Sequence, residues 1–408
     1  MAIEEIPSHL LKQYPEHEFY CLLTSNGHEH GKKLGYDWLL AMGVKSSINA
    51  GSKKELEDFM NRNKQRWLFG HLCFEWNNPY PHHQSEQFQK LYFPLSTIVE
   101  PLTVIGGKGK ECILLQGEMP LPNQILTENK IDNIIKGCDF PDWDTYNEAF
   151  EKIFHHILRG DTYELNLCVH LSGKGFIQPL ETFLSLNEIS EAPHAVFYKW
   201  GDSYCLGSSP ERFIKKEGKK MTTHPMKGTA ARSRDNKTDK ANLAHLKGNL
   251  KERKENIMVA DLARNDLSKV ASKGSVAVEK LCHTETYRQV HQMESIITCE
   301  VDEEINPIAV FDATFPMASM TGMPKKRVLE LIAASETAPR NLYSGSIACF
   351  APGGNFDSLV AIRSILYNQK TGDLSCSAGS AITDMSTSKE EYEECRVKAQ
   401  AMLRVLGG

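Results

Sequence analysis

Apolar and polar residues follow different periods in different stretches of the chain. Up to about residue 125, short apolar runs such as WLFGHLCFEW, STIVEPLTVIGG and CILLQG are bounded by Gly, Pro and Asn clusters, the pattern of strands joined by loops. Pro79 and Pro81, on either side of Tyr80 in NNPYPHH, mark an irregular loop. The first helical period is expected only at 143–158, where Tyr146, Phe150, Ile153 and Ile157 share one face. Residues 1–130 therefore read as an N-terminal β-rich subdomain, and 140–406 as a larger second domain.

In that second domain RGDTYELNLCVHLSG, HAVFYKWGDSYCLGSS and FIKKEGKKMTTHP read as strands with tight turns. LKERKENIMVADLARND is a helix, with Asn249 and Glu252 at the spacing of a capping box. PKKRVLELIAASE is a second, with Pro324 in the favoured first turn. A hairpin is expected around Gly353-Gly354, and a last helix from Ser388 with Glu391 three residues on. Helices and strands do not alternate as βαβ units, so the class is α+β with long antiparallel strands.

Composition narrows the function. With 408 residues, 41% hydrophobic and 24% charged, the chain has the balance of a soluble globular protein. A net charge of −5 lacks the clustered basic surplus of a nucleic-acid binder. Eleven cysteines stand mostly singly within apolar runs and form no CxxC pair, which argues against a zinc ribbon or a dithiol redox centre and for buried free thiols. The beginning of the chain is acidic, unlike a signal peptide, and no apolar run approaches the roughly 20 residues of a membrane span. The expected setting is the cytoplasm, with neither a membrane nor a nucleic acid as partner.

Two carboxylate pairs stand out. Glu252 and Glu255 are spaced i, i+3 on one helix, and Glu391 and Glu394 on another, so each pair shares a helical face. Two such helices facing each other could hold one Mg²⁺, which takes oxygen ligands and leaves positions for substrate and water. Glu252 and Glu391 also sit at capping-box positions, which would account for them without a metal; capping does not explain Glu255 and Glu394.

Nine segments in one order resemble the chorismate-utilising enzymes, a family that includes anthranilate, aminodeoxychorismate, isochorismate and salicylate synthases. They are RGDTYELNL, SSPERF, HPMKGTAARS, KENIMVADLARNDL, TYRQVHQMES, PMASMTGMPK, YSGSIACF, AIRS and EEYEECRVKA, spread over about 145–405. The resemblance implies a fold like that of anthranilate synthase component I, a large antiparallel β-sandwich with helices packed outside, and makes 140–406 the chorismate-binding catalytic domain. It implies that the four glutamates bind Mg²⁺, which receives the ring carboxylate of chorismate. It implies that Arg363 takes the enolpyruvyl carboxylate with help from Tyr343, that Gly379 lets the backbone approach substrate, and that Lys398 lies near the carboxylates. His291 in VHQME would stand beside the substrate ring. Ser380 and Ala381 depart from the pattern, since glycines are common there, as do Ala318 and Met323.

One position separates the sister reactions. Lys227, in HPMKGT, stands where anthranilate, isochorismate and salicylate synthases usually carry alanine, and resembles the C4-aminating branch of the family. There the lysine amine would add at C2 and expel the C4 hydroxyl, after which ammonia would add at C4 and release the lysine. The amine must be neutral to attack, so Mg²⁺ and partial desolvation are expected to depress its pKa; pairing with a protein carboxylate is the plainer role for such a lysine. Glu211, in SSPERF, would act as general acid or base near C4, unless it pairs with Lys215. Thr229 would shape the loop that holds Lys227. Glu164 stands where water-using relatives carry a lysine base and amine-using ones more often glutamine.

No cysteine has the G-x-C-x-G setting of an amidotransferase nucleophile, so ammonia is expected from a separate glutamine amidotransferase subunit or as free ammonium. Two rival readings stand beside C4 amination: an anthranilate synthase large subunit, or a non-catalytic relative that binds chorismate or an aromatic ligand as a regulator.

Overall fold

The computed structural model describes residues 6–50, 52–80, 93–120, 133–287 and 290–407. Among these, two large antiparallel sheets stack face to face. The first runs in the order Gly322–Met323, Glu164–Phe176, Asp373–Ile382, Ser364–Asn368, Ser203–Ser209, His194–Trp200, Phe19–Thr24, Trp38–Met42, Thr103–Lys108, Glu111–Gln116, with Ile134–Gly137 beside Glu164–Phe176. The second runs Met226–Ala231, Val290–Glu300, Lys220–Thr223, Arg212–Glu217, Phe356–Val360, Ser346–Phe350, Leu68–Leu72, Ser96–Glu100, Ser46–Asn49, with Ala277–Thr286 also on Val290–Glu300. The stretch expected as an N-terminal β-rich subdomain thus contributes strands that continue both sheets rather than sheets of its own.

Strand alternation explains the layering. In Phe19–Thr24, Phe19, Cys21 and Leu23 enter the core between the sheets, whereas Tyr20 and Leu22 join a second core beneath the outer helices. Helix Trp143–Leu158 covers that second face with Tyr146, Phe150, Ile153 and Ile157, the face its periodicity predicts. Ten of the eleven cysteines are buried, all are free, and only Cys112 is exposed. No helix among the described residues is long and apolar enough to cross a membrane.

The structure corrects several element expectations. The first helices come well before residue 143, at Ile6–Gln13 and Lys53–Arg62. The latter has a capping box that the apolar runs around it obscured: the Ser52 hydroxyl accepts from the Glu55 backbone N–H and donates to its carboxylate, and Leu56, Phe59 and Met60 bury one stripe. Helices Pro179–Ser190, Asn236–Gly248 and Pro307–Thr314 add to those expected. Pro324 occupies the cap position just before helix Lys325–Ser335 rather than its first turn. Helix Ser388–Val405 is capped by Thr387, which pairs with Glu390, so Glu391 is free of any capping duty. The expected irregular loop is described only as far as Tyr80, and its continuation from Pro81 lies outside the described residues.

Candidate active site

A cleft of about 670 Å³ is lined by residues from strands of both sheets, from helices Leu250–Ser268 and Ser388–Val405, and from the connections that carry Glu211, Ser319, Tyr343 and Arg363. Lys227 reaches it through a β-bulge. Met226 lies opposite Glu294 but Thr229 opposite Gln292, so the strand Met226–Ala231 fits one extra residue in between. Gly228 takes φ +96° there, and a Cβ on it would stand 2.9 Å from Glu252 Oε2, so the bend requires glycine. Asn256 Nδ2 holds the Lys227 carbonyl at 3.2 Å. Thr229 follows on the cleft wall.

The Lys227 ammonium is buried and lies 3.1 Å from Glu164 Oε1. Burial alone would lower its pKa, but Glu164, Glu255 and Glu394 outweigh burial and hold it above its usual value. The chain's own charges therefore act against the depressed pKa expected from the sequence. The cause is the number of carboxylates converging on one amine.

Glu211 is buried, and its Oε1 accepts from Ser319 Oγ at 2.6 Å. Burial pushes its carboxyl up to about 7, against partial relief from Ser319 and Lys227. The ion pair with Lys215 does not form, because Lys215 turns to Glu217 at 2.8 Å. Glu211 is thus a proton-carrying group facing the same cavity as Lys227.

Across the cleft stands Arg363, a non-glycine residue at φ +49°. Burial lowers its pKa, and among the described residues no carboxylate forms an ion pair with it. A desolvated guanidinium held in a strained backbone with no counter-ion is a carboxylate receptor. Tyr343 lines the wall beside it. Gly379 lets two strands close on each other: a Cβ there would meet Asn166 Nδ2 at 2.7 Å and the Leu167 carbonyl at 3.0 Å. Lys398 Nζ donates to the Gly379 carbonyl at 2.8 Å and pairs with Glu394 at 2.6 Å. Of the departures noted in the sequence, Ser380 turns away to Tyr146 at 3.2 Å, whereas Ala381 lines the cleft.

The two carboxylate pairs converge where their helices meet. Lys251 bridges the helices, at 2.6 Å from Glu391 Oε1 and 4.0 Å from Glu255 Oε1. Glu255 and Glu394 face the cleft; Glu252 and Glu391 lie behind them, outside its lining. Burial, reinforced by Glu164 and Glu252 against Lys227, pushes Glu255 up to about 9. Burial and then Glu394 also raise Glu252 and Glu391. Glu394 goes the other way, because Lys398, Lys227 and Lys251 outweigh its burial. Glu255 Oε1 is buried without a hydrogen-bond partner.

A buried acid cluster in which Glu252, Glu255 and Glu391 are held above their usual range, with an orphaned carboxylate oxygen and only hard oxygen donors, fits a divalent cation such as Mg²⁺. No three of the four glutamates bring ligand oxygens within 4.8 Å of one another, since lysines occupy the space between them. Cys168, His170 and Glu336 do lie that close, but Glu336 already receives the Arg340 guanidinium twice.

His291 does not join the site. Strand alternation sends it to the opposite face, where Nε2 meets Asp239 at 3.1 Å and Nδ1 meets Thr286 at 2.9 Å. Its neighbour Gln292 takes the cleft position instead. Asn166, Ser319 and Gln292 are cleft residues that the sequence reading passed over.

The family described as chorismate binding enzyme matches residues 46–404. Among curated proteins, the aminodeoxychorismate synthase of Streptomyces griseus is 36% identical over 267 residues, covering 65% of this chain and 36% of that one. Aminodeoxychorismate synthase component 1 of Escherichia coli is 34% identical over 261 residues, covering 64% of this chain and 57% of that one. The matched part of the chain thus spans about a third to three fifths of these relatives' length. In structure, the menaquinone-specific isochorismate synthase of Escherichia coli superposes with a TM-score of 0.78 at 17% identity, covering 97% of this chain and 90% of that one. Anthranilate synthase component I of Streptococcus pneumoniae gives 0.73 at 20% identity, covering 94% and 89%.

Proposed function

This chain belongs to the chorismate-binding enzymes, and within that family we propose that it aminates chorismate at C4, giving 4-amino-4-deoxychorismate, the precursor of 4-aminobenzoate in folate synthesis. The observation that carries the proposal is the placement of a buried lysine, Lys227, in one cleft with a protonatable carboxyl, Glu211, and an unpaired guanidinium, Arg363. The similarity to aminodeoxychorismate synthases supports the same reading.

Arg363 holds the enolpyruvyl carboxylate bidentately, with Tyr343 beside it. Glu252, Glu255, Glu391 and Glu394 would hold Mg²⁺, which when bound neutralises the ring carboxylate and the acid cluster. Glu164, 3.1 Å from Lys227 Nζ, is placed to take the proton that the amine must lose before it attacks. The neutral amine adds at C2, the ring double bonds shift, and the C4–O bond breaks. Glu211 supplies the proton with which the hydroxyl leaves as water. Ammonia then adds at C4, the double bonds shift back, and the C2–N bond to Lys227 breaks. Gly379 and Thr229 shape the walls, and Lys398 fixes Glu394 and the Gly379 carbonyl. Ammonia comes from a glutamine amidotransferase partner or from free ammonium.

The test is to incubate the purified chain with chorismate, Mg²⁺ and ammonium and to separate the products with mass detection. A 4-amino-4-deoxychorismate peak that requires Mg²⁺ is expected. Anthranilate or isochorismate in its place would overturn the C4 assignment, and tight chorismate binding with no turnover at any ammonium concentration would overturn catalysis.

A further inference from the structure

Three polar atoms in the lining residues of this one cleft are buried without a hydrogen-bond partner: Glu255 Oε1, Asn166 Nδ2 and Gln292 Oε1. Buried polar groups are almost always satisfied, and each exception costs about 1–3 kcal/mol. Three exceptions around a single cavity mark a surface built for a bound molecule rather than a packing defect. Glu255 belongs to the acid cluster. Gln292 carries no charge, belongs to no ion pair, and is 7% exposed. It stands where the bulge that aims Lys227 ends, directly opposite Thr229.

An orphaned amide carbonyl can be satisfied only by a donor. Resting on the C4-amination reading, the candidates are few. Both carboxylates of chorismate and its ether oxygen only accept, and its ring hydroxyl at C4 is its one donor. We propose that Gln292 is a substrate-positioning residue whose Oε1 accepts a hydrogen bond from the C4 hydroxyl of chorismate. The hydroxyl then has two partners with separate duties. Its hydrogen is held by Gln292, which fixes the C–O torsion, and its lone pair is left facing the proton of Glu211. The C4–O bond breaks with its electron pair on oxygen, Glu211 gives up its proton, and water leaves. Gln292 itself exchanges no proton. A neutral acceptor suits this wall because another carboxylate would add to the repulsion that already raises Glu255.

The experiment measures binding to the full chain with Mg²⁺ and without ammonium, by calorimetry, for chorismate and for its analogue with hydrogen in place of the C4 hydroxyl. Wild type should prefer chorismate by about 5- to 150-fold, the fold-change equivalent to one buried hydrogen bond. In Gln292→Met, which keeps the length but loses the acceptor, the preference should fall to near one, with kcat reduced and affinity for the analogue unchanged. Gln292→Glu restores an acceptor at the same reach and should recover the preference, a rescue that a merely structural role would not show. Thermal unfolding of each variant confirms that it folds. If Gln292→Met keeps the wild-type preference, the assignment is wrong. If it changes only the KM for ammonium, the donor is the entering ammonia and the hydroxyl assignment is equally wrong. If wild type binds neither ligand, the failure belongs to the chorismate reading itself.

Discussion

Glu211 gives the sharpest quantitative test, because its environment sets both a stability and a rate. Its carboxyl is raised from an ordinary 4.5 to about 7 by burial. At 1.36 kcal/mol per pH unit, ionised Glu211 costs the folded state about 3 kcal/mol. The sign follows from proton binding. Below pH 4.5 the carboxyl is protonated in folded and unfolded chains alike, and nothing is lost. Between 4.5 and about 7 the unfolded chain releases the proton while the folded one keeps it, so stability falls; above about 7 the full cost is present. In Glu211→Gln, where the amide carbonyl still accepts from Ser319, this slope should vanish. On metal-free protein in EDTA, urea unfolding from pH 4 to 9 should show the variant gaining on wild type by about 3 kcal/mol, with the gain complete near pH 8. Infrared difference spectra of the two proteins should show a protonated carboxyl band that titrates near pH 7. Product formation by wild type should decline about tenfold per pH unit well above 7, and the variant should be slower at every pH by about 10²–10⁴-fold. Parallel unfolding curves, or a carboxyl band already absent at pH 6, would refute the account.

Lys227→Ala should abolish turnover and with it any chorismate-derived mass on the protein, which intact mass spectrometry can follow. Glu255→Gln or Glu394→Ala should weaken Mg²⁺ binding and turnover together; normal turnover after either change would remove the metal assignment. Arg363→Ala should raise the Kd for chorismate about 10- to 150-fold, the value of a charged hydrogen bond of about 1.5–3 kcal/mol, with little change in Mg²⁺ affinity. Gly228→Ala should lower stability by about 1–2 kcal/mol for the left-handed backbone alone, before the contact with Glu252 is counted. A variant as stable as wild type would show that the bulge relaxes.

What the sequence made legible was whatever one element decides by itself. The helix Trp143–Leu158 and its buried face follow from local periodicity, and Asn249 does cap helix Leu250–Ser268. Lys227, Glu211, Arg363 and Tyr343 lie in motifs, and the structure gathers them into one cleft. His291 failed for a matter of parity: in a strand of period two, a displacement of one residue moves a side chain to the other face, and Gln292 is the one that looks inward. Glu391 was assigned a cap one residue out of register, because Thr387 and Ser388 are both good caps and only the backbone turn decides between them. The Arg340–Glu336 pair has an i, i+4 spacing that any exposed ion pair shares, and nothing local shows that it is fully buried and that Arg340 donates onward to the carbonyls of Met320 and Asn166. Those two carbonyls are distant in sequence, and no periodic pattern announces them.

The interleaving of early and late strands has a consequence for synthesis. Gly70 lies opposite Ala348, and Cys21 opposite Tyr198. The early strands pair first among themselves, but Phe19–Thr24 must wait for His194–Trp200 and Leu68–Leu72 for Ser346–Phe350, so neither sheet closes until much later residues have been made. Until then Phe69 and Leu72, apolar and destined for the interior, remain on an open edge. Such a chain folds late and slowly. Its yield in a cell should depend on chaperone supply more than the stability of the finished protein would suggest.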